Sequence, residues 1–481
     1  MDTMNSKLKN DTILFGIGKY GAVIITLLTT SILSHLLSPE EYGIVAVTTV
    51  FTALFNVFAD FGFGTGIIQN KTLTDEDINS IFSFTVYLSI GLGLIFMLLG
   101  YPIAAFYDNF VYREICAWLG ISVFFNALNI VPHGMVMKSK RFGLAGKRLL
   151  CASVFTGAAA IAMAYAGFSY YALVFQSVLQ AVFMFVWNMW NVRLRFIPRL
   201  RMDSVRKISR YSLYQFACSM VNYGSKNFDS LLIGKIMGTE NLAYYDKGYR
   251  LMMYPVDNLR FVINPVMHPI LSEHQQDRDY IYETYIKVVR VLSLLGVLFT
   301  AICFWGSEEI ILLFFGGQWK RSIPLFQILS LSVWPQLVSS STSAIYQSTG
   351  NTRLMFQSSI IHLMVSAALI VAGILVGKLE AVSMFVTMAM YFRFFIDYFF
   401  LIKKNFKREY LSFLAEFISD AILLLMLLTT AWGLSKISFG KAFVALLLKG
   451  MITMAVFAVG VVLTGRTHFL GALLKRAKKR R

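Results

Sequence analysis

The sequence is poor in charge and in the residues that build metal or disulfide sites. Charged side chains make up 15% of its 481 residues, whereas a soluble chain of this size carries about 25%. It has four cysteines and six histidines, and no two cysteines stand in a CxxC spacing. These deficits argue against a soluble globular enzyme, a zinc centre and a disulfide framework.

Long apolar stretches take the place of the missing charge. Hydrophobic residues make up 57% of the chain, and the mean hydropathy is +0.63. About fourteen stretches are long enough to cross ~30 Å of hydrocarbon at 1.5 Å per residue. The first two, 12–36 and 42–66, are joined by the short polar turn 37–41, which predicts a hairpin of antiparallel neighbours. We therefore predict an all-α polytopic membrane protein.

The net charge of +18 is explained by the placement of the basic residues. Lys and Arg concentrate in alternate segments between the apolar stretches, which is the positive-inside pattern with both termini cytoplasmic. Contacts with anionic membrane lipids account for the basic tail. The charge therefore does not indicate a nucleic-acid partner.

A weak internal repeat predicts two lobes in the same orientation. The segment 37–43 aligns with 237–243, and both are short turns between long spans. Six predicted spans separate the two copies, so the repeats are parallel. The predicted organisation is a six-helix lobe at 1–192, a cytoplasmic basic linker at 193–210, a second six-helix lobe at 211–405, two additional transmembrane helices at 406–465 and a basic cytoplasmic tail at 466–481.

Two predicted spans, 208–235 and 241–272, carry too many polar side chains to face lipid. In the second, polar positions recur every three or four residues and share one helical face, which also includes Asn264 and His268. Ionisable groups at this depth are costly, so they face protein or water. Ion pairing between helices and contact with a substrate both explain them. The candidate cavity residues are Lys19, Asp60, Asn222, Lys226, Asp229, Asp246, Lys247, Arg250, Asp257, Arg260 and Arg393.

The chain resembles the multidrug/oligosaccharidyl-lipid/polysaccharide exporter superfamily, and within it the polysaccharide transporter branch of Wzx-like flippases. The resemblance covers nearly the whole chain. The segments that carry it are Leu37-Ser38-Pro39-Glu40-Glu41-Tyr42-Gly43, Asp60-Phe61-Gly62-Phe63-Gly64 and Phe315-Gly316-Gly317-Gln318-Trp319.

The resemblance implies two six-helix lobes around a central cavity and alternating access between the membrane faces. It implies a bacterial cytoplasmic membrane protein that carries an undecaprenyl-diphosphate-linked oligosaccharide outward, beside glycan polymerase and chain-length proteins. An anionic cargo suits the intramembrane cations, because Arg can hold a diphosphate bidentately. No cofactor is expected. Coupling to H⁺ or Na⁺ is a separate hypothesis, with Asp60 and Asp257 as candidates.

Four other functions compete with this interpretation. A flippase for the peptidoglycan lipid precursor and a cation-coupled multidrug exporter belong to the same superfamily, although the first span offers Lys19 and no carboxylate for a cation. A membrane polymerase or ligase acting on the same carrier should have a large outer loop with catalytic residues, and we find no nucleophile–base pair. A purely structural scaffold would not need charged intramembrane faces. We therefore expect a transporter and no catalytic residue.

Overall fold

The computed structural model consists mainly of helices in the residues that it describes. Those residues are 2–61, 63–70, 72–198, 202–272, 277–434 and 442–466. No strand occurs in these ranges, which confirms the predicted all-α class. Most of the predicted basic tail, from 467 onward, lies outside them.

The chain divides into two compact units, Met1–Ala243 and Tyr244–Arg481. The first unit contains nine described helices, and a π-helical turn, Ile233–Met237, follows the last of them. The lobe limits given by the sequence remain predictions. The helices are α1 Asp2–Leu36, α2 Pro39–Asp60, α3 Phe63–Gln69, α4 Asp75–Tyr107, α5 Val111–Leu128, α6 Ile130–Lys138, α7 Phe142–Tyr165, α8 Tyr171–Asn191 and α9 Met202–Leu232.

The next helix, α10 Thr239–Ser272, begins at the end of the first unit and continues into the second. The remaining described helices belong to the second unit. They are α11 Arg278–Trp305, α12 Ser307–Phe315, α13 Ser322–Ser330, α14 Val333–Ser339, α15 Thr342–Ser348, α16 Thr352–Leu375, α17 Leu379–Tyr398, α18 Tyr410–Ala415, α19 Ile418–Leu434 and α20 Ala442–Leu463.

The turn between α1 and α2 lies where the sequence predicts it. Ser38 caps α2 through a capping box, in which its hydroxyl accepts a hydrogen bond from Glu41 N at 3.3 Å. The Glu41 carboxylate accepts in return from Ser38 N at 2.6 Å. Pro39 opens the helix, where its missing N–H costs nothing. These three residues fix the start of α2.

The predicted pairing of α1 with α2 is wrong. Among the described residues, α1 packs along α7, and α2 packs against α5 and α9. Small residues bring α1 and α7 together, because a methyl group on Gly18 would overlap the backbone of Gly146. Close backbone approach at small residues is a common way for membrane helices to associate. A short turn therefore makes the chain reverse its direction, but it does not determine which helix packs against α1.

Eleven described helical segments are long and apolar enough to cross a membrane. Three predicted spans are not among them. Helices α9 and α10 are continuous at 31 and 34 residues but are too polar to qualify. The predicted span 324–347 is instead three short helices, α13 to α15, and the buried hydroxyls of Ser339 and Ser340 lie at the last break. The predicted count of fourteen spans stays a prediction.

Candidate functional site

Two guanidinium groups lie near each other in the second unit. Arg260 comes from α10 and Arg393 from α17, and their positive charges interact electrostatically. The two side chains are 30% and 28% exposed. Two partly exposed guanidinium groups on different helices form an arrangement that can bind an anion through several charge-assisted hydrogen bonds.

Each arginine has a carboxylate neighbour, but the two contacts differ in strength. Arg260 Nη1 lies 3.8 Å from Asp257 Oδ1, and the Asp257 side chain is 56% exposed. Arg393 Nε lies 3.4 Å from Asp397 Oδ2, and that carboxylate is 9% exposed. Exposed, loosely held ion pairs contribute little free energy, so Arg260 is easily available to a second anion.

Asp397 rests on a buried scaffold of tyrosines. Tyr346 donates a hydrogen bond to the Asp397 carbonyl at 3.1 Å. The hydroxyls of Tyr285 and Tyr398 lie 3.0 Å apart, and Tyr398 also donates to Val338 O at 2.9 Å. These bonds join α11, α14, α15 and α17 inside one apolar core. The scaffold fixes the position of α17 and therefore of Arg393.

The remaining charges of α10 are used in other ways. Arg250 Nε pairs with Asp246 Oδ2 at 2.6 Å, which confirms the predicted spacing of this pair. Lys247 is buried, with its ammonium 4.6 Å from the Phe315 ring centroid and 4.8 Å from that of Trp319. This cation–π contact holds α10 against the end of α12. The side chains of Asn264 and His268, predicted for the same face, lie outside the described residues.

Five predicted site residues belong to the first unit. Asp60 is exposed at the end of α2, where its carboxylate accepts a hydrogen bond from Gly64 N at 3.3 Å. Lys19 is half-buried on α1. On α9, Asn222 and Lys226 are exposed and Asp229 is buried. The three predicted site residues of α9 therefore differ in exposure.

Within one unit the structure therefore brings Asp257, Arg260 and Arg393 together, with Asp246 and Arg250 earlier on α10. The predicted site residues do not include Asp397, the carboxylate partner of Arg393. They also omit His362, whose ring lies near the charge of Arg393 and within 3.0 Å of Ser366 Oγ. The sequence signal that could have identified His362 is that it stands as a single histidine in an apolar stretch.

Two more buried charges were missed. Arg148 of α7 is 2% exposed and donates to Asn188 Oδ1 at 2.5 Å and to His133 Nδ1 at 3.2 Å. Lys449 of α20 forms a buried ion pair with Glu309 of α12. Lys449 is a single charge in an apolar stretch, whereas Arg148 directly follows a lysine. Ionisable groups buried in this way usually have a specific partner.

The described residues contain no cluster of three or more His, Cys, Asp or Glu side chains that could hold a metal ion. At the candidate site, the guanidinium groups of Arg260 and Arg393 can bind an anion, and tyrosine and histidine side chains lie nearby.

A comparison with known protein families shows which family the chain belongs to. Residues 32–324 match the model of a family described as polysaccharide biosynthesis protein. The chain belongs to that family. This confirms the resemblance to the polysaccharide branch noted from the sequence.

Relatives of the family are similar over much of the chain. An uncharacterized membrane protein in the cps region of Klebsiella pneumoniae is 21% identical over 86% of this chain and 87% of its own length. The teichuronic acid biosynthesis protein TuaB of Bacillus subtilis is 22% identical over 64% of this chain and 64% of its own length. The lipopolysaccharide biosynthesis protein WzxC of Escherichia coli is 22% identical over 63% of this chain and 62% of its own. The last two matches span less than two thirds of those relatives.

Solved structures confirm the fold. The lipid II flippase MurJ, in an inward closed conformation, matches 95% of this chain and 99% of its own, with a TM-score of 0.73 and 12% identity. An inward-facing multidrug resistance MATE family transporter of the MOP superfamily matches 80% of this chain and 94% of its own, with a TM-score of 0.64 and 14% identity. The chain is therefore a multi-pass membrane protein with the fold of these transporters.

Proposed function

We propose that the protein is a flippase for a lipid-linked oligosaccharide. Its cargo is an undecaprenyl-diphosphate-linked repeat unit of an exopolysaccharide, capsule, O-antigen or teichoic-type polymer. Support comes from the polysaccharide biosynthesis family, from relatives named for teichuronic acid and lipopolysaccharide biosynthesis, and from the fold shared with a lipid II flippase. This function is transport and not an enzymatic reaction.

The proximity of Arg260 and Arg393 is the observation that carries this proposal. Placing two like charges together in a membrane protein is costly, and the cost falls when an anion bridges them. A diphosphate fits this arrangement, because it offers oxygen atoms to both guanidinium groups at once. Asn222 and Lys226 are additional candidates for contacts with the cargo, as are Lys19 and Asp229.

In the proposed mechanism, the diphosphate replaces Asp257 as the partner of Arg260. Asp257 is 56% exposed and 3.8 Å from Arg260, so its release costs little. Arg393 keeps its buried partner Asp397 and supplies the second, fixed contact. Binding drives transport only if the anion favours one conformation over the other, and alternating access then moves it across the membrane.

We also propose how the protein is oriented in the membrane and which membrane contains it. We place both termini in the cytoplasm and the protein in the bacterial cytoplasmic membrane, because basic residues concentrate in alternate segments. Cargo then moves from the inner to the outer leaflet. Glycan polymerase and chain-length proteins are the partners expected to receive it.

Two other cargoes of the same superfamily remain as alternatives. The similarity to MurJ favours a peptidoglycan lipid precursor, and the similarity to a MATE transporter favours a cationic drug. A peptidoglycan precursor would also use the arginine pair. A cationic drug would be repelled by it, so the arginine pair favours the lipid-linked cargoes.

Energy coupling is a separate part of the proposal. Asp60 and Asp257 are the candidate carboxylates for H⁺ or Na⁺, since both are exposed. A transport rate that does not change with either ion gradient would remove this part and leave the cargo proposal intact.

Deletion of the gene, followed by mass spectrometry of the lipid extract, identifies the cargo. We expect a lipid-linked oligosaccharide to accumulate, and we expect the wild-type gene to clear it. Accumulation of the peptidoglycan precursor instead would favour the first alternative. An unchanged lipid profile together with drug sensitivity would favour the second.

A further inference from the structure

An arginine-lined cavity lies in the first unit, apart from the candidate transport site. Its volume is about 470 Å³, and its lining includes Arg141, Arg193 and Arg195 with Asp75 as the carboxylate. Among the described residues, none of the three arginines forms an ion pair. Three cations against one carboxylate leave a net positive cavity that suits a phosphate group.

Hydrogen bonds hold the wall of this cavity in place. The segment 192–198, which follows α8, runs beside α4 and is fixed by three α4 side chains spaced one helical turn apart. The contacts are Arg195 N to Asn79 Oδ1 at 2.8 Å, Ile197 N to Ser83 Oγ at 2.8 Å, and Tyr87 OH to Pro198 O at 3.4 Å.

Two of the arginines flank a residue that is packed into the protein. Leu194 packs into an apolar core of the first unit, while Arg193 and Arg195 on either side of it are exposed and line the cavity. Across the cavity, Arg141 Nη1 donates to Asn191 O at 3.2 Å.

An apolar groove begins where the arginine cavity ends. The groove has a volume of about 700 Å³, is lined by side chains of α8 together with Phe155 of α7, and shares Asn191 with the cavity. Trp190 is 85% exposed and Phe155 53% exposed. From Asn191 to Leu179, the groove follows α8 for about 18 Å at 1.5 Å per residue, close to the ~15 Å thickness of one leaflet.

We infer that the cavity and the groove together bind one anionic phospholipid of the leaflet at that end of the helices. The arginines receive the phosphate headgroup, and the groove on α8 receives an acyl chain. Asn191 lines both the cavity and the groove and so joins them. A free phosphate would need only the cavity. The groove covers one leaflet, so it suits a glycerophospholipid better than a long polyprenyl chain that continues beyond the midplane.

The test measures phospholipid retention by native mass spectrometry of the purified full-length protein. Phosphatidylglycerol and phosphatidylcholine are added in equal amounts, and phosphatidylglycerol should be retained preferentially. Replacing both Arg193 and Arg195 by Gln should weaken phosphatidylglycerol binding roughly 30-fold and leave phosphatidylcholine binding unchanged. The control removes two exposed charges elsewhere, Lys147→Gln with Arg353→Gln, and should retain the preference.

A second variant tests the groove without changing charge. Val186→Gln should lower retention of both lipids, and it carries the test by itself if the double arginine variant does not fold. Equal retention of the two lipids by the wild type would overturn the inference. A loss of phosphatidylglycerol binding in the control variant as large as that in the double arginine variant would also overturn it. Arginine-dependent binding of inorganic phosphate without lipid retention would overturn it too. Displacement of phosphatidylglycerol by an undecaprenyl diphosphate lipid would make the site a cargo site instead.

Discussion

At the residue scale, Asp397 shows how a buried carboxylate differs from an exposed one. Its side chain is 9% exposed and pairs with Arg393, while Asp279 is 77% exposed and pairs with Arg408 at 2.6 Å. The shorter contact is the weaker contributor, because water and salt compete for exposed charges. Breaking a buried pair leaves an uncompensated charge in a medium that solvates it poorly.

This difference predicts unequal effects of the same substitution. Asp397→Asn should lower the free energy of unfolding by about 3 kcal/mol, because Arg393 loses its anionic partner. Asp279→Asn should cost less than about 1 kcal/mol. Thermal unfolding of the two variants in the same detergent measures both. Equal losses in Tm would show that burial does not govern these pairs.

At the scale of helices, the last helix is fixed by one buried ion pair, Lys449 with Glu309. The ammonium group also donates to Trp305 O at 3.4 Å. The sequence predicted α19 and α20 as plain apolar additions, and a single lysine did not reveal its partner on α12. Contacts between residues 140 positions apart depend on packing that no local pattern encodes.

A double-mutant cycle tests this pair. Lys449→Met alone should destabilise the protein by roughly 3 kcal/mol or more, because Glu309 is left buried without a counter-charge. The double variant Lys449→Met with Glu309→Leu should recover most of that loss. Additive losses in unfolding free energy would mean that the two side chains do not interact.

The packing of α1 on α7 makes a second prediction at this scale. Gly18→Ala should destabilise the pair of helices by about 1–3 kcal/mol, because the new methyl group overlaps the backbone of Gly146. The matched control is Gly16→Ala, two positions earlier in the same helix, where nothing lies within 4 Å of the new methyl group. It should be neutral or slightly stabilising. A larger loss of Tm for the control would contradict the packing.

Helices α1, α2 and α7 show which features of the fold could be predicted from the sequence and which could not. Apolar length located α1, the start of α2 and the turn between them, since this signal is local, but α2 ends at Asp60 and not at the predicted 66. The choice of α7 as neighbour depends on small residues that meet only in the folded protein. The hydropathy pattern did not reveal the breaks in the predicted span 324–347, because an average over apolar residues does not record where three short helices begin and end.

At the scale of the whole molecule, two observations support one account. The chain has the fold of known transporters, and its second unit places two guanidinium groups beside each other within a polar face. The sequence identified Arg260 and Arg393 separately, Arg260 as part of the polar face of the span 241–272 and Arg393 as a cation within a later span. It could not show their proximity, because α10 and α17 are distant in the chain.

The most direct test of this account is the transbilayer movement of a defined undecaprenyl-diphosphate-linked oligosaccharide in proteoliposomes. Arg260→Gln and Arg393→Gln should each lower the rate about tenfold or more, because each loses a charge-assisted contact to the diphosphate. Lys320→Gln, an exposed cation outside the site, should transport at the wild-type rate. Wild-type rates in both arginine variants, with equal protein inserted, would contradict the account.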